Sequence, residues 1–258
     1  MIGPTPLLDF FKRGEAPRDA KLLAAQGLLA PRAYEQLAIL VLLLEDQDPE
    51  LRTLADQTLN RIPVEALQAF LAQSDVPVGL REFFGDRGIF PAEIPAIETD
   101  EPLVQADDPD GDEPDIAEGD RESAVQKLAS MGFTGRLKAA VKGTREMRAI
   151  LIRDPNKMIA ASVLSSPKVS EQEIESFARM ASLSEDVLRI IASNRAWVKR
   201  YGVMAALTRN PKTPLAMSLN LMSRLTDRDL NMLSVDRNVP EPLRIAARKK
   251  VLANLSGH

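Results

Sequence analysis

Apolar residues recur three and four positions apart along most of this chain, the spacing that places them on one face of an α-helix. Ile174, Phe177, Ala178 and Ala181 make one such stripe, and Val187, Ile190 and Ile191 another. Leu51, Leu54, Ala55, Thr58 and Leu59 make a third. In the N-terminal third the pattern predicts a short helix from Thr5-Pro6 through Phe11, then one over 21–27. Others are predicted from Pro31 to Glu45, from Asp48-Pro49 to Pro63, from Val64 to Ala72 and from Val78 to Phe84. A helix with a single apolar stripe cannot bury it alone, so neighbours must stack and share a core.

The helices restart at similar polar marks. Ser170-Glu171-Gln172-Glu173 fits a capping box, with serine at the cap and glutamate three residues on. Asp48-Pro49, Asp154-Pro155 and Thr213-Pro214 place a capping side chain before a proline, whose missing N–H costs nothing in a first helical turn. Thr144 is expected to start another helix, and Ser123 with Gln126 a further capping box. Aligning Pro167 with Pro211 gives a spacing of about 44 residues, within the range of two- or three-helix repeats. Aligning Thr213-Pro214 with Val239-Pro240 gives about 26, and superposes Leu207 on Leu233, Leu219 on Ile245 and Leu225 on Val251. The expected architecture is all-α, an α-solenoid of uneven helical repeats. Aromatic content of 4% suits close helix packing better than sheet, which favours aromatic and β-branched residues.

Between about residues 93 and 121 the periodicity stops. Glu101, Asp107, Asp108, Asp110, Asp112, Glu113, Asp115, Glu118 and Asp120 are broken up by Pro102, Pro109, Pro114 and two glycines, a composition that predicts a disordered acidic linker. The expected organisation is a helical module over 1–92, this linker over 93–121, and a helical-repeat module over 122–258. Asp108-Pro109-Asp110-Gly111-Asp112 has the start of a calcium loop without its complete spacing, so no calcium is expected there. The net charge of −4 hides an asymmetry: about 9 basic against about 25 acidic residues before position 121, and about 24 against about 12 after it. The C-terminal module is therefore the basic one.

No basic-then-apolar leader opens the sequence. The most apolar run, Leu37 to Leu44, falls far short of the roughly twenty residues that span a bilayer. A cytoplasmic protein with a buried helix at that run is expected. The chain has no cysteine and a single histidine, His258, which removes thiolate nucleophiles, histidine triads and the usual zinc ligands. Its glycines form no phosphate-binding loop. Neither a catalytic residue, a metal nor a cofactor is predicted.

The candidate binding surface is the basic, aromatic-containing segment of Arg189, Arg195, Trp197, Lys199, Arg200, Tyr201, Arg209 and Lys212. Cations interleaved with aromatic rings can engage an acidic peptide, or stack on bases while pairing with phosphates. Against both stands a packing role, with Trp197 and Tyr201, four apart, filling the core between repeats.

Asp48-Pro49-Glu50-Leu51-Arg52 resembles the cap of HEAT-type repeats. Asn210-Pro211-Lys212-Thr213-Pro214 resembles the turn of leucine-rich-repeat-variant proteins, helical solenoids of related style. Together with Leu151-Ile152-Arg153-Asp154-Pro155 and Asp236-Arg237-Asn238-Val239-Pro240, the second half resembles bacterial two-module helical proteins with an acidic linker. The resemblance implies a repeat surface and no particular activity. The leading expectation is a non-catalytic scaffold that binds an acidic protein partner, with the acidic linker competing in cis. The alternative is a nucleic-acid or nucleotide-binding module.

Overall fold

The computed structural model describes residues 5–93, 101–104 and 121–256, whose regular elements are all α-helices, with no strand among them. The calcium-like motif and most of the acidic segment lie outside the described residues. None of the described helices is long and apolar enough to cross a membrane. The chain divides into two compact units, Met1–Leu151 with Ser162–Lys168, and Ile152–Ala161 with Val169–His258.

The first unit contains α1 (Pro6–Lys12), α2 (Arg18–Ala25), α3 (Ala33–Leu43), α4 (Pro49–Asn60), α5 (Val64–Leu71) and α6 (Val78–Gly85), followed by α7 (Arg121–Ser130), α8 (Phe133–Lys142) and α9 (Arg145–Leu151). Helix α3 lies at its centre, packed by α1, α2 and α4. It is apolar on nearly every side, and Leu37, Ile39, Leu40 and Leu43 are buried, as a helix without a polar face must be. Thr5 caps α1 ahead of Pro6, as the sequence predicts, and its hydroxyl also donates to the fully buried Glu35 carboxylate of α3. The Ser165 hydroxyl accepts from the Leu7 N–H, occupying another donor that the first turn of α1 leaves open.

Asp48 likewise caps α4 ahead of Pro49. The same loop is tied to α2 by Arg18, which reaches Asp48 (2.9 Å) and Glu50, and by Lys21 on Asp46 (2.7 Å). Arg52 turns back to donate to the Asp46 and Gln47 carbonyls. The hydrogen bond from the Glu50 N–H, followed by the one from Arg18, holds the Asp48 carboxyl below its ordinary pKa. Beneath this loop the Thr58 hydroxyl donates to the Ala25 carbonyl at the end of α2 (2.6 Å).

Helices α7–α9 group with the first unit, and α8 packs on α2. Ser123 lies inside α7 rather than at its cap, because the helix already begins by Arg121. Thr144 does cap α9, accepting from the Met147 N–H (3.4 Å).

The division between the units runs through α10 (Lys157–Val163). The second unit then holds α11 (Glu171–Arg179), α12 (Glu185–Ser193), α13 (Arg195–Val198), α14 (Tyr201–Arg209), α15 (Leu215–Met222), α16 (Asp227–Val235) and α17 (Glu241–Ser256). The starts of α10, α11 and α12 are 14 residues apart, and so are those of α14 and α15 and of α16 and α17. Shifting α14 by 26 residues superposes it on α16 from end to end, and shifting α10 and α11 by 44 gives the starts of α14 and α15. Both spacings read from the prolines are thus spacings between helices. Leu207 and Leu233, matched by the shorter one, are both fully buried, whereas Ile245 is 46% exposed and does not share the setting of the half-buried Leu219.

Candidate functional site

The eight candidate residues all fall in the second unit, on elements whose ends are set by polar side chains. Ser170 caps α11 and forms a complete capping box with Glu173. Asn194 follows α12 with extended backbone, and its Oδ1 accepts from Ala196 and Trp197, starting α13 at once. Asn210 and Asp236 occupy the equivalent positions after α14 and α16, and each folds its Oδ1 onto the N–H two residues ahead, Lys212 (3.0 Å) and Asn238 (2.9 Å). Asp154 does the same to Asn156, which then caps α10 itself, so the cap lies two residues later than Asp154-Pro155 suggests.

Asn210 also reaches across the unit. Its Nδ2 donates to the carbonyls of Ala178 (2.8 Å) and Met180 (3.1 Å), two acceptors at the end of α11. The asparagine is buried and holds the end of α14 to the end of α11, a neighbour it packs on. Thr213 does not cap α15. Pro214 keeps extended backbone and occupies the cap position, and the buried Thr213 hydroxyl has no hydrogen-bond partner among the described residues.

Trp197 and Tyr201 do not share a continuous helix face, because α13 ends at Val198 and α14 begins at Tyr201. Neither fills the core. Trp197 is half-buried and Tyr201 is 42% exposed. The Tyr201 hydroxyl donates to Asp229 of α16 and accepts from the Thr226 N–H (3.1 Å), joining the start of α14 to the cap of α16. Arg209 pairs with the same Asp229. The tyrosine hydrogen bond, with those of Thr226 and the charge of Arg209 behind it, lowers the Asp229 pKa despite partial burial.

Three of the six candidate cations are paired with carboxylates: Arg189 with Glu185 one turn earlier, Arg200 with Glu171 (2.6 Å), and Arg209 with Asp229. Arg195, Lys199 and Lys212 are exposed and have no carboxylate partner among the described residues. The structure thus brings Tyr201 and Arg209 together, and leaves Arg195, Trp197 and Lys199 on and beside the short α13. Lys212 lines an open hollow with Pro211, Thr213, Pro214, Leu215 and Ala216, together with Ser184, Glu185 and Pro240 from the starts of α12 and α17. Three turns of the unit therefore share one edge.

Sequence reasoning missed Glu171, Thr226 and Asp229. The signal for Glu171 and Asp229 is an acidic residue in the first turn of a helix whose start keeps the 14-residue spacing, and for Thr226 a threonine three residues before an aspartate, the pattern of a helix cap. Among the described residues no group of three or more acidic or histidine side chains is placed to hold a metal ion. Comparison with family models, with curated proteins and with solved structures finds no match to this chain.

Proposed function

We propose that this chain is a non-catalytic scaffold whose C-terminal helices form a HEAT- or leucine-rich-repeat-variant-like solenoid, with a turn edge that binds an acidic protein partner. The observation that carries the reading is the hollow shared by the turns at Ser184-Glu185, Pro211–Ala216 and Pro240. A helical-repeat stack presents equivalent turns side by side, and such an edge makes a surface without any reacting group. Lys212 supplies a cation there, and the N–H groups of Leu215 and Ala216 open α15 without helical partners of their own. The acidic segment of the same chain competes for this edge in cis.

Nucleic-acid affinity comes chiefly from cations that replace counterions at phosphates, so the salt dependence of binding separates that alternative from the peptide reading. The test uses the full chain, titrated with a fluorescent glutamate-rich peptide and with a generic single-stranded RNA at several salt concentrations. Peptide binding is expected, with at least a tenfold loss in the triple variant Arg195→Glu, Lys199→Glu, Lys212→Glu at unchanged helical content. RNA binding with a steep salt dependence would transfer the site to the nucleic-acid alternative, and binding of neither ligand would refute both readings.

A further inference from the structure

Four residues of the acidic stretch are held in place. Glu101–Val104 ends in a valine that is buried against the first unit, although Glu101 is exposed and Pro102 and Leu103 are half-exposed. What receives it is a small, complete recognition pocket. The side-chain amide of Gln36, on the central helix α3, donates to the Val104 carbonyl (2.8 Å) and accepts from the Val104 N–H (3.0 Å). Both polar atoms of one peptide residue are thereby matched as a neighbouring strand would match them, by a glutamine that is itself buried.

The valine side chain fits beside Gly27. That glycine has φ +80°, a conformation that L side chains rarely adopt, and Val104 Cγ1 lies 3.7 Å from where a Cβ would stand. Thr58 Cγ2 closes the same space at 3.3 Å, with the Thr58 hydroxyl turned away onto the Ala25 carbonyl. Three residues from three successive parts of the fold, Gly27, Gln36 and Thr58, thus read one backbone unit and one small branched side chain.

We propose that this pocket is a peptide-docking site for an extended segment bearing a valine-sized side chain, and that Glu101–Val104 is its resident, exchangeable ligand. One buried side chain and one amide pair are little to set against the entropy of ordering a segment, so the attachment opens without unfolding the helices around it. The pocket's contacts are to main-chain atoms and to a methyl-bearing side chain, so any segment of that chemistry competes. Tethering gives the resident an effective concentration in the millimolar range, which sets the advantage a competitor must overcome. The site lies in the first unit and does not depend on the acidic-partner surface of the second.

The test empties the pocket in cis and refills it in trans. A fluorescein-labelled peptide with the sequence of residues 99–106 is titrated into the full chain and into its Val104→Asp variant, with anisotropy as the readout. The variant is expected to bind the peptide at least tenfold more tightly than the unaltered chain, and a second substitution, Gln36→Met, is expected to remove that binding. Equal binding by the two chains, or binding indifferent to Gln36→Met at unchanged helical content, overturns the proposal. Amide exchange on the unaltered chain decides the matter even if Val104→Asp fails to fold. The Val104 N–H is expected to exchange at least tenfold faster than those of Leu37 and Leu40. Exchange of all three at one common rate would make the segment a fixed part of the unit and overturn the proposal.

Discussion

Replacing Asn210 by alanine tests whether the second unit is held together by its turns. The side chain makes three hydrogen bonds: to the Ala178 carbonyl (2.8 Å), to the Met180 carbonyl (3.1 Å), and from the Lys212 N–H (3.0 Å). Each contributes about 0.5–1.5 kcal/mol net, and losing the donor also leaves acceptors at the end of α11 with poor access to water. The expected cost is about 2–4 kcal/mol, which for a unit of this size lowers the melting temperature by roughly 10–25 °C. Asn210→Asp separates the contributions. It keeps the acceptor for Lys212 but turns a carboxylate oxygen toward two carbonyls, so it is expected to cost at least as much as alanine at neutral pH. Part of that loss should return below about pH 4, where the protonated acid regains one donor. Asp236→Asn, at the equivalent turn, alters no such contact, since Asp236 only accepts from Asn238, and it should stay within about 0.5 kcal/mol of the parent. Urea unfolding followed by fluorescence measures this directly, because Trp197 is the only tryptophan and lies in the second unit. An Asn210→Ala protein within about 0.5 kcal/mol of the parent would refute the reasoning, as would an Asn210→Asp protein no less stable than Asp236→Asn.

Four other outcomes follow from contacts elsewhere in the two units. Asp229 has a lowered pKa in the folded state, so its contribution is present above the unfolded value near 3.8 and is lost as pH falls through the folded value. Tyr201→Phe removes the largest cause of that shift, so the stability gap between parent and variant should narrow from pH 6 to pH 2.5; urea curves that stay parallel across this range would count against it. Gly27→Ala places a Cβ in a left-handed conformation 3.3 Å from Thr58, and should destabilise the first unit by about 1–2 kcal/mol. Gly79→Ala in α6 meets nothing within 4 Å and should stabilise by about 0.5–1 kcal/mol, with calorimetry distinguishing the two signs. Ser170→Ala removes half of a complete capping box and should cost about 1 kcal/mol in the Trp197-monitored transition, so no measurable change would show that α11 starts without it.

The helix starts were legible in the chain wherever a cap acts within its own first turn. Thr5-Pro6, Asp48-Pro49 and the Ser170–Glu173 box form as read, since a side chain three bonds from its own backbone needs no distant partner. The 26-residue spacing was legible for a related reason: helix length and turn chemistry are both local, and α14 and α16 repeat both. Where two local preferences compete, the reading failed. Thr213-Pro214 has the residues of a cap and a first turn, yet Pro214 stays extended and α15 starts one residue later. The aromatic spacing misled because Asn194 and Arg200 interrupt the helix between α12 and α14, so a separation of four no longer means a shared face.

Contacts across long stretches of sequence belong to the tertiary structure alone. Nothing local in Gln36 indicates that its amide will meet Val104, and nothing in Asn210 indicates the carbonyls of Ala178 and Met180. Charge composition marked the second half as basic, and a separation of four on α12 already pairs Arg189 with Glu185, but packing decided which of the other cations would face carboxylates. Arg200 meets Glu171 and Arg209 meets Asp229 because helices adjacent in space, not in sequence, bring those side chains together. Periodicity and caps act within one or two turns and are written in neighbouring residues, whereas pairing depends on which helix lies beside which, a property of the folded core.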